Sequence, residues 1–248
     1  MRNGIFPIFA KGRVLKKESI EYLRDFPNDL VSLAHAEYSD GVIFGFSISY
    51  ADGQVLVSKG ALKFRGEIIV LDENSIPIPE FEQQLFIKLH IGKIRETEDY
   101  IACPIEMIMN RIKPLQDSEI ELGRFYLNPG AILRCKHDSF RDLHTPENTL
   151  DITNVPYAGI GSATMHPIAL REYARSLLFE SSDAADIAFA LMCLNGGVVQ
   201  KSCIQWHIAK KSNKQYSEYT LATIYDKLSE MLSARRGKPA KPRFIGIE

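Results

Sequence analysis

Net charge is almost absent from this sequence: 30 Lys and Arg stand against 31 Asp and Glu, a formal charge of −1 over 248 residues. A chain so balanced has no global attraction to nucleic acid or to an anionic membrane surface, so any such contact would need a local basic patch. Long apolar runs are lacking too, and none approaches the roughly 20 residues of a bilayer span. The opening, MRNGIFPIFAKGRVLKK, has neither the apolar core nor the small-residue cleavage site of a signal peptide. A product made in the cytoplasm, with no membrane contact, is the expectation. Cysteine is scarce, and Cys103, Cys135, Cys193 and Cys203 show no CxxC spacing. That argues against a disulfide framework and against zinc, and leaves reduced thiols packed in a core.

Catalytic signatures are missing as well. There is no GxSxG and no HExxH, and no Cys pairs with a His in a family pattern. The stretch NGGVVQKS has the flavour of a phosphate-binding loop, but Asn195 and Gln200 stand where GxxxxGK[ST] needs glycine. It also lies between two helical patterns, where a helix cap followed by a new helix start accounts for it. YAGIGSATMHP puts Gly159, Gly161, Ser162 and Thr164 ahead of a helix. An anion could be received at such a helix start; a linker ending in an N-cap is the favoured reading. The densest polar cluster is CKHDSFRDLHTPENTLD, with His137, Asp138, Asp142, His144, Glu147 and Asp151. Imidazoles and carboxylates of this kind could hold a divalent ion and activate water. The spacing matches no known ligand set, and a hydrogen-bonded loop is expected between a β part and a helical part. His35 and His207 sit in helical patterns as packed or half-buried side chains, and Trp206 reads as a bundle core or an interface anchor. No cofactor and no metal site is expected.

What is present is periodicity. The apolar residues Ile20, Leu23 and Phe26, then Leu30, Leu33 and Ala34, fall at helical spacing with Pro27 between them, which predicts two short helices. From Val42 the period becomes two: Val42, Phe44, Phe46, Ile48 and Tyr50 share one face of a predicted strand, and Asp52-Gly53 marks a hairpin. Gly60 and Gly66 bracket ALKFR and suit turns or bulges. Beyond a Pro-rich linker, NSIPIPEFE, alternation returns at Leu85, Ile87, Leu89 and Ile91. Further strands are expected in DYIACPIEMI and IELGRFYLNPGAIL, closing a mostly antiparallel β body near Leu133.

The last third changes period. Leu170, Tyr173, Ala174, Leu177 and Leu178 form a broad helical face. SSDAADIAFALMCLNGG begins with cap residues and ends in Asn195-Gly196-Gly197. VVQKSCIQWHIAKK and EYTLATIYDKLSEMLSA, the latter with Leu221, Ile224, Tyr225, Leu228 and Leu232 on one face, complete a small bundle. The expected class is therefore α+β: two short N-terminal helices and a mostly antiparallel β body over 1–148, a helical bundle over 149–234, and an extended basic arm over 235–248. Pro239 and Pro242 stop any helix in that arm. Its cations, Arg235, Arg236, Lys238, Lys241 and Arg243, could meet phosphates, with Phe244 to stack on a base. The body adds no second basic stripe, so nucleic acid is disfavoured and docking onto an acidic neighbouring subunit is preferred.

The pattern DGVIFGFSISYADGQVLVSKGALKFRGEIIVL resembles the β module of baseplate and tail-fibre adaptor proteins in contractile phage tails and in phage-tail-like bacteriocin particles of Gram-positive bacteria. FAKGRVLKKESIEYLRDFP is similar to the opening segment of such proteins, so the likeness spans residues 9–71. It implies a structural, non-enzymatic baseplate component that links a tail or injection particle to receptor-binding fibres. Its partners would be other copies of itself, a trimer being one arrangement, and baseplate and fibre proteins. A glycine-punctuated β unit with one apolar face fits that role, since a neighbouring copy can cover the face. The residues expected at partner interfaces are Phe44, Phe46, Ile48, Arg235, Arg236, Phe244 and Ile245. The alternative is a cytoplasmic metal-dependent hydrolase or nucleic-acid-processing enzyme using the loop from His137 to Asp151.

Overall fold

A computed structural model describes residues 7–12, 14–79, 84–93, 95–97, 101–115 and 117–235. The described part is α+β, with eleven strands, all paired antiparallel, and five α-helices. The chain opens with α1 (Lys17–Ala34) and then runs through short strands β1 (Gly41–Gly45), β2 (Ile48–Ala51), β3 (Gln54–Val57), β4 (Gly60–Phe64), β5 (Glu67–Leu71) and β6 (Asn74–Pro77). These make two three-stranded sheets, ordered β1-β4-β5 and β2-β3-β6. A third sheet pairs β7 (Gln84–Ile91) with β10 (Ile105–Asn110) on one side and β11 (Glu119–Tyr126) on the other, and β8 (Arg95–Glu96) pairs with β9 (Ile101–Ala102).

Turn chemistry sets the two hairpins. Asp52 and Gly53 both take positive φ, 50° and 76°, between the paired ends of β2 and β3. Arg65 and Gly66, at 51° and 87°, do the same between β4 and β5. This is the backbone geometry whose twist matches a two-residue hairpin.

Three local expectations give way. The helical pattern around Pro27 is one helix, not two: α1 carries Pro27 in its interior. Proline withholds one N–H from the ladder, but α1 buries no residue, so water is at hand for the carbonyl left over. The Pro-rich stretch taken as a linker contains β6, whose Pro77 lies opposite Gln54 on an edge strand, where a missing donor is tolerated. The alternating run from Val42 to Tyr50 is two strands in two different sheets, and the chain turns a corner at Gly45 and Phe46, φ 79° and 53°.

A 3₁₀ turn (Phe140–His144) leads to the helices α2 (Pro167–Glu180), α3 (Ala184–Leu194), α4 (Lys201–Lys211) and α5 (Leu221–Arg235). Asp183 caps α3 by accepting from the Ala185 and Asp186 amides, and Gly196 and Gly197 follow its end with φ 83° and 96°. Ala169, Leu170, Tyr173, Ala174 and Leu177 form the buried face of α2. The core is continuous from strand residues such as Leu62, Ile87 and Leu89 to Tyr173, Ile204 and Leu228 of the helices. Phe140 stands at the junction, its ring 5.2 Å from Tyr173 and 4.8 Å from Tyr225, and the Tyr225 hydroxyl donates to its carbonyl at 3.1 Å.

Candidate functional site

The polar loop from His137 to Asp151 is the first place to look for chemistry, and its groups are engaged with the fold. Asp142 accepts from both terminal nitrogens of Arg134, from the Asp138 amide at 2.9 Å and from the Thr145 hydroxyl at 2.9 Å. The Arg134 guanidinium, against the opposing effect of burial, holds the Asp142 carboxyl well below the usual carboxylate range. His144 Nδ1 meets Asp151 Oδ2 at 2.8 Å, and Asp151 Oδ1 accepts from the Thr153 amide and hydroxyl at 2.8 and 2.6 Å. Glu147 accepts from Asn128 Nδ2 at 2.8 Å. These pairs point to different neighbours, and among the described residues no group of three His, Cys, Asp or Glu converges as a metal site. The four cysteines are free thiols. Burial raises Cys193 to about 12 and Cys135 to about 11, far from thiolate chemistry at neutral pH.

The predicted interface residues separate. Phe44, Phe46 and Ile48 do not share a face: Phe44 is 61% exposed while Phe46 is 5% exposed and belongs to the core. The corner at Gly45 and Phe46 is the reason, because it ends β1 before the alternation can continue. Ile48 is half-buried in β2, packed against the core. Arg235 closes α5; its side chain, with Arg236, Phe244 and Ile245, lies outside the described residues. Trp206 is no bundle core residue, since it is 50% exposed beside Tyr216. His207 is buried and stacked on Phe189, 3.9 Å between ring centres.

Two features were given no functional role by sequence reasoning. The first is the apolar face of α1. Ile20, Leu23, Pro27, Leu30 and Ala34 recur at alternating intervals of three and four, the spacing of a helix-to-helix seam. Phe26 and Leu33 widen the stripe, and all of these residues are exposed. The helix is tied to the body at its C-terminal end. The buried Lys63 of β4 reaches out of the sheet and donates to the carbonyls of His35, Ala36 and Tyr38 at 2.7, 3.1 and 2.7 Å. A cation there complements the negative end of the helix dipole and satisfies carbonyls just past the last turn.

The second is a cleft of about 590 Å³ between the β1–β2 corner, the polar loop and the start of α2. Ile48, Leu122, Leu150, Ile152 and Val198 line it with apolar surface, and Lys136, His137, Tyr157, His166 and Arg171 add polar groups. Six separate segments supply these residues, so no local spacing announces the cleft. The start of α2, where the sequence favours a linker ending in an N-cap over an anion site, is capped by His166, whose Nδ1 accepts from the Ile168 amide at 3.0 Å. Thr164, one of the residues ahead of that helix, donates to the Val199 carbonyl at 2.6 Å. Burial, with the nearby Arg171 charge, lowers His166 to about 3, so its ring is neutral.

No protein-family model and no curated protein sequence matches the chain. Among solved structures it is similar to a crystal structure of TssK, with 8% identity and a TM-score of 0.42 over 98% of this chain and 71% of that one. It is also similar to a chain of the type VI secretion system TssK-TssF-TssG baseplate subcomplex seen by cryo-electron microscopy, with 8% identity and a TM-score of 0.42 over 92% and 98%. A third is TssK from the EAEC type VI secretion system bound to nanobody nb18, with 8% identity and a TM-score of 0.40 over 94% and 100%. Likeness at this level carries no functional argument; the chain's own surfaces do. No helix among the described residues is long and apolar enough to cross a membrane.

Proposed function

We propose that this chain is a structural, non-enzymatic baseplate component of a contractile tail or tail-like injection particle, one that self-associates through α1. The baseplate assignment rests on the resemblance over residues 9–71. The observation that carries self-association is α1 itself, an 18-residue helix with no buried residue and an exposed stripe at intervals of three and four. An isolated helix of this length is marginal in water, and most helical stability comes from packing an apolar face. Each large side chain moved from water into an interface contributes about 1.5–3 kcal/mol. A second or third copy offers a matching stripe by symmetry, since the same seam meets itself. The arm from Arg235 through Arg236 to Phe244 and Ile245 is proposed to dock on an acidic neighbouring subunit. Receptor-binding fibre proteins are the proposed outer partners.

Light scattering on the full chain tests the reading. The wild type should be a homo-oligomer, and Leu23→Asp/Leu30→Asp should be a monomer with an unchanged near-UV spectrum. A monomeric wild type at tens of micromolar would remove α1 as the assembly element. Truncation after Ala234 should leave the body folded and reduce incorporation into particles.

A further inference from the structure

The cleft beside α2 is a surface separate from α1, and its chemistry is one-sided. No Asp or Glu stands among its described lining residues, whereas Lys136, His137 and Arg171 do. Lys136 and Arg171 are exposed at the mouth together with the apolar side chains Phe44 and Ile168. Cations beside exposed apolar groups, with no acid to balance them, make a surface that lacks its complement.

The hydrogen-bond pattern fixes what the interior offers. The Ile168 amide donates to His166 Nδ1 at 3.0 Å, so in the neutral ring the proton resides on Nε2. His166 Nε2 faces the Tyr157 hydroxyl oxygen at 3.4 Å and is therefore the donor of that contact. With Nε2 as the donor, the phenolic hydrogen of Tyr157, a residue only 7% exposed, has no acceptor among the described residues. Burial pushes the phenol up to about 12, so it keeps that hydrogen at neutral pH. His137 Nε2 meets the Leu150 carbonyl at 2.6 Å, which fixes that ring with its proton on Nε2. A buried O–H donor, two mouth cations and an apolar floor all call for a ligand that brings acceptor oxygens and carbon surface together.

We propose that this cleft is a docking site for a partner-protein segment carrying a carboxylate beside a large apolar side chain. The carboxylate pairs with Arg171 and Lys136 and accepts from Tyr157, while the apolar side chain lies on Ile48, Leu150 and Ile152, covered by Phe44. A guanidinium meets a carboxylate with two parallel hydrogen bonds, which gives direction as well as attraction. The apolar rim separates this occupant from a bare anion, for which Phe44 and Ile168 would have no use. The inference concerns a different surface from α1 and stands whether or not the chain belongs to a baseplate.

Calorimetric titration of the full chain tests it with acetyl-Asp-Leu-Phe-amide, its Asn counterpart acetyl-Asn-Leu-Phe-amide, and inorganic phosphate. The acidic peptide should bind saturably, the Asn peptide about tenfold more weakly or worse, and phosphate without displacing the acidic peptide. Arg171→Gln, at an exposed position, should cost the acidic peptide about tenfold and leave the Asn peptide unchanged. Tyr157→Phe should weaken the acidic peptide by a few-fold. Equal affinity for both peptides would make the cleft a plain apolar groove, and competition by phosphate would make it a free-anion site. No binding, or binding untouched by Arg171→Gln, would overturn the proposal outright. Failure of these arms is read separately from the oligomeric state of the Leu23/Leu30 variant.

Discussion

The ring of Phe46 fills the space where a side chain at Gly60 would begin: a Cβ there would lie 2.6 Å from Phe46 Cγ. The two residues sit where β1 ends and β4 starts, with Gly45 paired to Gly60. Gly45 is fixed for another reason, since it has φ 79° and a Cβ on it would run into the Lys59 carbonyl. Gly60→Ala should therefore destabilise the chain by about 1–3 kcal/mol through overpacking, read as a lower denaturation midpoint. The cost should shrink in a Phe46→Leu background, because neighbours that share space are coupled. Gly45→Ala should be damaging in both backgrounds, since its obstacle is backbone. An unchanged Gly60→Ala midpoint would mean that Phe46 packs elsewhere.

That corner shows why periodicity was a partial guide. Val42 to Tyr50 alternate so regularly that one strand is the natural reading, yet a phenylalanine at φ 53° breaks the run. Such a conformation is uncommon outside glycine and leaves no mark on hydrophobic spacing. Spacing succeeded where packing agrees with it, as in α2, where four of the five expected face residues are buried. It failed at Pro27, because a proline in a helix that buries no residue loses one bond without disturbing a core. The cleft was illegible because Tyr157, His166 and Arg171 meet Lys136 and Ile48 only through the tertiary fold. Lys63 was equally silent: as a single lysine in an apolar strand, nothing near it in sequence names the carbonyls of residues 35, 36 and 38.

Asp142 gives a pH dependence with a definite sign. Its folded pKa is depressed by Arg134, with the Asp138 amide and Thr145 hydroxyl adding to the effect against burial. A depressed carboxylate contributes stability that is complete above its unfolded pKa, about 3.9, and that drains away as pH falls toward the folded value. Wild-type stability should accordingly fall on acidification from about pH 5 to pH 2. Asp142→Asn should start lower at neutral pH and lose less over that window. Parallel pH profiles for the two proteins would assign the acid sensitivity to other groups.

Lys88 and Glu119 form a buried ion pair at 2.7 Å across β7 and β11, and both side chains are also bonded to the loop between β10 and β11, Lys88 to the Ile112 carbonyl and Glu119 from the Leu115 amide. Burial alone would raise Glu119, but Lys88 and the Leu115 amide outweigh it and the pKa is lowered. Removing one partner strands a charge, so Lys88→Met or Glu119→Leu should cost about 3–5 kcal/mol. The double variant should recover much of that loss, since an apolar pair of similar size is often tolerated. Midpoints from urea unfolding of the three variants give the coupling directly. A double variant as unstable as the sum of the singles would show that the loop bonds, not the pair, dominate.

Lys63 is where the fold and the proposed assembly element meet. It is 7% exposed, and its three donors go to the carbonyls of His35, Ala36 and Tyr38 just beyond the end of α1. No apolar residue of α1 is buried, so this cation is a principal hold on the helix in the free chain. Hydrogen bonds to a charged group are worth about 1.5–3 kcal/mol each when made and leave carbonyls without a donor when lost. Lys63→Met keeps the apolar stem, so β4 should stay paired with β1 and β5. Hydrogen exchange should then quicken across residues 17–38 by about tenfold or more while β7 and α2 keep their protection. If α1 is the assembly seam, the same variant should self-associate more weakly than wild type, because its seam must be ordered at the moment of contact. Faster exchange spread evenly over the sheets would mean that Lys63 holds the β core rather than the helix. Unchanged exchange over residues 17–38 would mean that something other than Lys63 anchors α1.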